Sequence, residues 1–172
     1  LSQAAVAEFA LGLPERMISG AAQADVTLDL PEVSEPATGQ IVSLPQDGGE
    51  QKLNRVFLRS GRFPRADERR EVVLGEAFAL ENKMRIGDQL VAVINGRRET
   101  LRVCGIGLSP EFVFEARAGE TLPDHKRFSV MWMNYRALAV AYDMDGAFND
   151  LCLDLAPGAA AAPVIAAIDR LL

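Results

Sequence analysis

Gln89-Leu90-Val91-Ala92-Val93-Ile94-Asn95-Gly96-Arg97-Arg98-Glu99-Thr100-Leu101-Arg102-Val103-Cys104-Gly105-Ile106 is the stretch on which the fold class turns. Asn-Gly between two strand-like runs is the strongest two-residue hairpin signal, because both positions tolerate positive φ. The pattern predicts antiparallel strands over 89–94 and 97–106. Upstream, Glu71-Val72-Val73-Leu74 reads as a strand, residues 76–82 as a short helix and Ile86-Gly87-Asp88 as a turn. Downstream, residues 128–133 form a continuous apolar strand, and Asn134 is placed to cap a helix over 135–142. Residues 150–155 read as a further strand, and Pro163 suits the first turn of a helix whose apolar face is Val164, Ile168, Leu171 and Leu172.

Toward the N-terminus the signals are mixed. Val6, Phe9, Ala10 and Leu13 recur at helical spacing, which predicts a helix over 3–13 ended by Gly12 and Pro14. A short helical turn is expected over 15–18. Asp25-Val26-Thr27-Leu28-Asp29-Leu30 alternates strictly, the mark of a half-buried strand, and Pro31 stops it. Residues 32–39 are turn-rich, 41–44 and 53–58 are strand-like, and 65–70 form a charged loop expected to be solvated. The order of helix, strands, strand-rich middle, strand and helix fits α+β and not a doubly wound sheet. The middle reads as an insertion between two flanking pieces.

Composition narrows the function. The 172 residues are 49% hydrophobic and 24% charged, enough to bury a core in one domain or two small lobes. The net charge of -6 argues against nucleic acid, whose phosphates need a basic surplus. The uncharged run between Asp154 and Asp169 is too short to span a bilayer and contains Pro157, Gly158 and Pro163. No signal peptide is visible, and the start at Leu1 suggests a fragment or a processed chain. Cys104 and Cys152 sit in apolar, strand-like surroundings and are expected to be buried thiols. Their pairing stays open, since a disulfide needs Cα atoms within about 7 Å.

A search for chemistry finds no catalytic, cofactor or metal site. His125 is the only histidine, set in the charged turn Asp124-His125-Lys126-Arg127, and is expected to be exposed. A triad would need it, and there is no Gly-x-Ser-x-Gly elbow. Asp143-Met144-Asp145-Gly146 starts like a calcium loop, but Ala147 and Phe148 stand where an oxygen ligand and glycine are required. Gly105-Ile106-Gly107-Leu108 lacks the third glycine of a dinucleotide loop. No Gly-x-x-x-x-Gly-Lys-Ser/Thr occurs, so ATP hydrolysis is not expected of this chain. Phe112, Phe114, Met131, Trp132, Met133 and Tyr135 form the one aromatic and methionine concentration. They read as core, with an apolar partner or lipid surface as the competing reading.

The landmarks also occur in a telling order. Leu58-Arg59-Ser60-Gly61-Arg62-Phe63-Pro64 precedes Glu71-Val72-Val73-Leu74-Gly75-Glu76-Ala77-Phe78-Ala79. Met84-Arg85-Ile86-Gly87-Asp88-Gln89-Leu90, the hairpin and Leu101-Arg102-Val103-Cys104-Gly105-Ile106 follow. Phe128-Ser129-Val130-Met131-Trp132-Met133 and residues 144–150 come later, and residues 164–172 close the chain. This series resembles the extracytoplasmic core domain of MacB/FtsX-type ABC transporter permeases over roughly two thirds of the chain.

The resemblance implies an α+β fold of two subdomains. A βαβ-containing Porter-like lobe, over 1–60 and 146–172, is interrupted by a strand-rich Sabre-like lobe over 61–145. It implies a non-catalytic domain without cofactor or metal, on the periplasmic side of the bacterial inner membrane. Such a domain couples cytoplasmic ATP hydrolysis to export, lipoprotein or lipid handling, or partner regulation. The implied partners are a cytoplasmic ABC ATPase, reached through the membrane-embedded parent, and a periplasmic adaptor or an apolar or lipidic cargo. Cys104 stands where the family leads one to expect valine, in keeping with a buried thiol. A free-standing periplasmic ligand-binding or chaperone-like module is the alternative, as is an enzyme domain whose partner residues lie elsewhere.

Overall fold

A computed structural model describes residues 15–30, 37–45, 51, 53–113 and 122–170. The helix expected over 3–13 lies outside the described residues, as do Phe114, Leu171 and Leu172. The strands are β1 (Glu15–Ala21), β2 (Gln23–Asp29), β3 (Ala37–Leu44), β4 (Phe57–Gly61), β5 (Glu71–Gly75), β6 (Gln89–Ile94), β7 (Arg97–Leu108), β8 (Phe128–Asn134) and β9 (Asp150–Leu155). The helices are α1 (Glu76–Glu81), α2 (Tyr135–Tyr142) and α3 (Ala161–Ile168), with a 3-10 turn over Pro110–Phe112. The chain is α+β, as expected.

Seven strands form one sheet in the order β4-β7-β5-β8-β3-β2-β6, and β6 pairs with β7 as well. That last pairing closes six strands into a ring, with β4 lying on β7 beside it. Twelve-residue β7 makes the closure possible: its first half pairs with β6 over Arg97–Arg102 positions, and its second half with β4 and β5. The pairs β3–β8 and β5–β7 are parallel and the other pairs antiparallel.

β1 and β9 form a separate two-stranded ribbon, with Glu15 opposite Leu155 and Ala21 opposite Asp150. The helical turn expected over 15–18 is therefore strand. A local helical preference of four residues is weak, and pairing with a distant strand overrides it. The sheet also crosses the boundary expected at residue 60. β2, β3 and β4 are hydrogen-bonded into the same sheet as β5, β7 and β8 instead of sharing the ribbon of β9.

The alternation of each strand sorts side chains into two packed layers. Leu28, Ile41, Val72, Leu74, Val103 and Met131 form the larger layer with Phe78 of α1 and Leu138 of α2. Val42, Val73, Cys104, Val130 and Trp132 form the second, closed by Val56, Leu58 and Phe112. β5 is buried along its whole length and β8 along all but its last residue, which is why both read as continuous apolar runs. The aromatic and methionine concentration is core. Met131, Trp132, Met133 and Tyr135 are all buried, and Phe112 meets Trp132 edge-on at 6.3 Å.

The hairpin forms as expected, with Asn95 at φ 45° and Gly96 at φ 75°. Gly96→Val is expected to cost about 1–3 kcal/mol, because a β-branched side chain is strained at positive φ. A denaturant midpoint equal to that of the parent chain would show that this turn does not constrain the sheet.

Candidate functional site

The loop joining β4 to β5 carries the first motif of the series, and its geometry is that of a clasp. Gly61 (φ 78°) pairs with Gly105 of β7, and the Arg62 N–H donates to the Cys104 carbonyl at 3.0 Å. The Arg62 guanidinium then reaches across the loop to Glu71, the first residue of β5. Nη1 donates to Glu71 Oε2 at 2.7 Å and to the Phe63 carbonyl at 2.9 Å, and Nη2 donates to Glu71 Oε1. The Arg65 N–H adds a bond to Glu71 Oε2 at 3.0 Å. The Glu71 side chain is 5% exposed and that of Arg62 41%. The Arg62 hydrogen bonds hold the Glu71 carboxyl at about 2, well below the usual carboxylate range, against the opposing effect of burial.

The far side of the loop is tied down by Asn134. The sequence places this residue as the cap of α2, and it occupies that position without making a side-chain cap bond. Its amide instead donates to the carbonyls of Arg65 and Glu68, the latter at 2.9 Å. Loop 65–70 is exposed but anchored at both ends. The carboxylate of Glu71 accepts three hydrogen bonds from its own loop and is buried, so it serves as a structural tie.

The second arrangement lies where the ribbon meets the sheet. Asn149 accepts from the Gln23 N–H at 2.7 Å and donates to the Gln23 carbonyl at 2.8 Å. Ser43 Oγ accepts from the Ala22 N–H at 2.9 Å, and the Ser43 N–H donates to the Ala22 carbonyl at 2.8 Å. Phe148 is buried against Gly20, where any Cβ would meet its ring at 2.9 Å.

Beside this seam is a cavity of about 30 Å³, room for one water, bordered by Asn54, Glu111, Asp150 and Cys152. Ligand atoms of Glu111, Asp150 and Cys152 lie within 4.8 Å of one another, the one such group among the described residues. Burial, then the charge of Asp150, raises the Glu111 carboxyl above its ordinary value. Burial, then Asp150 and Glu111, pushes the Cys152 thiol up to about 11. Asn54 Nδ2 donates to Cys152 Sγ at 3.3 Å. Two carboxylates and a thiol supply three donors of mixed hardness without an imidazole, a partial cation shell at most.

The remaining sequence candidates fall apart from one another. Cys104 is buried and donates weakly to the Val72 carbonyl at 3.4 Å, and burial pushes its thiol up to about 11. Cys152 is half-buried, not buried as expected, because it sits on a two-stranded ribbon that no second layer covers fully. Neither cysteine is in a disulfide. His125 is half-buried, not exposed, and its Nδ1 is enclosed without a hydrogen-bond partner. The turn around it is shaped by Asp124, which accepts from Arg127 Nε at 2.6 Å.

Asp143 ends α2 in the left-handed region (φ 54°), and Tyr135 Oη lies 2.7 Å from the carbonyls of Met144 and Ala147. Residues 143–146 are thus the close of a helix. Gly105 and Gly107 lie within β7, not at a strand-to-helix turn.

No protein-family model matches the chain, and no curated protein matches it. Solved structures do. One is the extracellular domain of the noncanonic ABC-type transporter YknZ from Gram-positive bacteria, at TM-score 0.59 and 12% identity, covering 100% of this chain and 82% of that one. Another is the periplasmic region of MacB from Actinobacillus actinomycetemcomitans, at TM-score 0.51 and 13% identity, covering 99% of this chain and 72% of that one. This chain has the fold of ABC-permease extracytoplasmic domains. Within that permease-domain fold, residues 58–64 are the end of β4 and its clasp, 71–79 are β5 and α1, and 101–106 lie in the part of β7 that both β4 and β5 pair with. These three motifs of the sequence resemblance lie where β4, β5 and β7 are joined.

Proposed function

We propose that this chain is the extracytoplasmic domain of an ABC transporter permease on the periplasmic side of a bacterial inner membrane. It performs no chemistry and passes movement driven by a cytoplasmic ATPase to export, to lipoprotein or lipid handling, or to a periplasmic partner. The observation that carries this reading is the likeness to the YknZ domain over 100% of the chain.

The layout suits transmission of force. A sheet closed through β6 and β7 resists shear, because no edge along the ring can peel. It meets the β1–β9 ribbon through a short seam at Ala22, Gln23, Ser43 and Asn149. We take the ribbon with α3 as the Porter-like part and the seven-stranded sheet with α1 and α2 as the Sabre-like part. The clasp and the seam are built from structural hydrogen bonds and place no nucleophile beside a base, which fits a domain that moves rather than reacts.

The test is to express the whole gene with an epitope tag in this domain. The product is expected to be an integral membrane protein that copurifies with a Walker-type ATPase, with the tag cleaved by protease added to spheroplasts. A soluble product without an ATPase would favour the free-standing ligand-binding or chaperone-like module.

A further inference from the structure

A groove of about 260 Å³ runs between the β6–β7 hairpin and α2. Its floor is apolar: Ile94 and Leu101 are buried, and Ala137 and Ala141 are half-buried one helical turn apart. Val140, on the same stripe of α2, is 62% exposed. Three arginines rim it, Arg69 and Arg70 from the anchored β4–β5 loop and Arg97 from the start of β7. Glu99 is the one acid on the rim, and it is occupied by Arg70 at 3.3 Å. Among the described residues Arg69 and Arg97 have no carboxylate partner. Cations thus gather around an apolar slot on a chain whose net charge is -6.

Several features make this a formed site. The hairpin is fixed to α2 at its tip, where the Asn95 N–H donates to Tyr142 Oη at 3.1 Å and Asn95 Nδ2 donates to the Ala141 carbonyl at 2.8 Å. Asn134 anchors the loop that supplies Arg69 and Arg70. The groove is smaller than the roughly 300–1,000 Å³ of small-molecule pockets, so it suits an apolar side chain or two and not a whole ligand. An apolar slot with a cationic rim is complementary to a peptide that alternates apolar anchors and carboxylates.

We propose that this groove docks an acidic, amphipathic segment of a partner protein, with an apolar side chain beside Val140 and carboxylates on Arg69 and Arg97. The groove would recognise such a segment whether or not the chain sits in a permease.

The experiment is an amide NMR titration of the 15N-labelled chain with two synthetic twelve-residue peptides, one of Glu and Leu, the other of Lys and Leu. Vesicles of phosphatidylcholine and phosphatidylglycerol form a third arm. The Glu/Leu peptide is expected to shift amides in residues 97–101 and 137–141. The double variant R69E/R97E is expected to weaken it about tenfold, as loss and reversal of two rim charges implies. Val140→Asp is expected to weaken it as well, and both variants should keep the parent chain's amide dispersion because all three positions are exposed. The proposal is overturned if both peptides bind alike, if the shifts map elsewhere, if R69E/R97E binds as the parent does, or if the vesicles displace the peptide from the same amides.

Discussion

Gly105→Ala is expected to destabilise the chain by about 3 kcal/mol, a large share of the roughly 5–15 kcal/mol that holds an ordinary domain folded. Gly105 lies in β7 where β4 and β5 press on it from either side. A Cβ placed there meets the Arg62 carbonyl oxygen at 2.5 Å, Leu58 Cδ2 at 3.1 Å and Val73 Cγ2 at 3.3 Å. A side chain can step aside, but the Arg62 carbonyl belongs to the clasp backbone and cannot move without opening the bonds that hold Glu71. Gly61 faces Gly105 from the other strand, and a Cβ there would meet Cys104 and Gly105 backbone. The two backbones approach more closely than any side chain allows. The control is Gly87→Ala, where φ is 96° and nothing lies within 4 Å, so only backbone strain of about 1–2 kcal/mol is introduced. Urea unfolding of the two variants separates packing from backbone strain. Equal midpoints for Gly105→Ala and Gly87→Ala would sink the close-approach explanation.

This case shows where sequence reading stops. The Asn95-Gly96 pair reads correctly as a turn, because turn chemistry is local. Gly105 sits in a strand and gives no local reason for being glycine. Its reason is the Arg62 backbone, brought beside it by pairing between segments some forty residues apart. The strands over 71–75 and 128–134 were legible for the opposite reason: burial on both faces leaves the apolar runs Val72-Val73-Leu74 and Val130-Met131-Trp132-Met133.

Long-range pairing explains the other misses. β1 has no strand pattern strong enough to oppose a helical turn, and becomes a strand through β9. The lobe boundary expected at residue 60 came from the family resemblance, whereas hydrogen bonds carry β2 and β3 to β6 and β8 across it. Asn134 looked like a cap because it precedes a helix, but the loop it ties is contributed from more than sixty residues upstream. The groove was invisible for the same reason. Arg69 reads as part of a solvated loop, Arg97 as the start of a strand and Val140 as one residue of a short helix, and only the anchoring of loop, hairpin and helix brings them to one slot.

Glu71→Gln tests whether the clasp acts through charge. Glu71 is buried at the head of β5 and accepts three hydrogen bonds from Arg62 and Arg65. Glutamine keeps the shape but loses the charge, and can serve only part of that donor set. The expected cost at pH 7 is about 2–3 kcal/mol, held below the value for a fully enclosed pair because the Arg62 side chain reaches solvent. The sign of the pH dependence follows from the native carboxyl titrating at about 2 instead of at the ordinary 4.5. Between those values the unfolded chain binds the proton and the folded chain does not, so acid favours unfolding. The stabilisation from Glu71 is therefore complete above pH 4.5 and is lost as the pH falls through 4.5 toward 2. Glutamine does not titrate, so the gap between parent and variant is expected to be full at pH 7 and to narrow to a small remainder near pH 2. Paired urea titrations at the two pH values measure it. A gap that stays constant would mean that Glu71 holds the clasp by packing and neutral hydrogen bonding alone, and that Arg62 is a bystander at the loop.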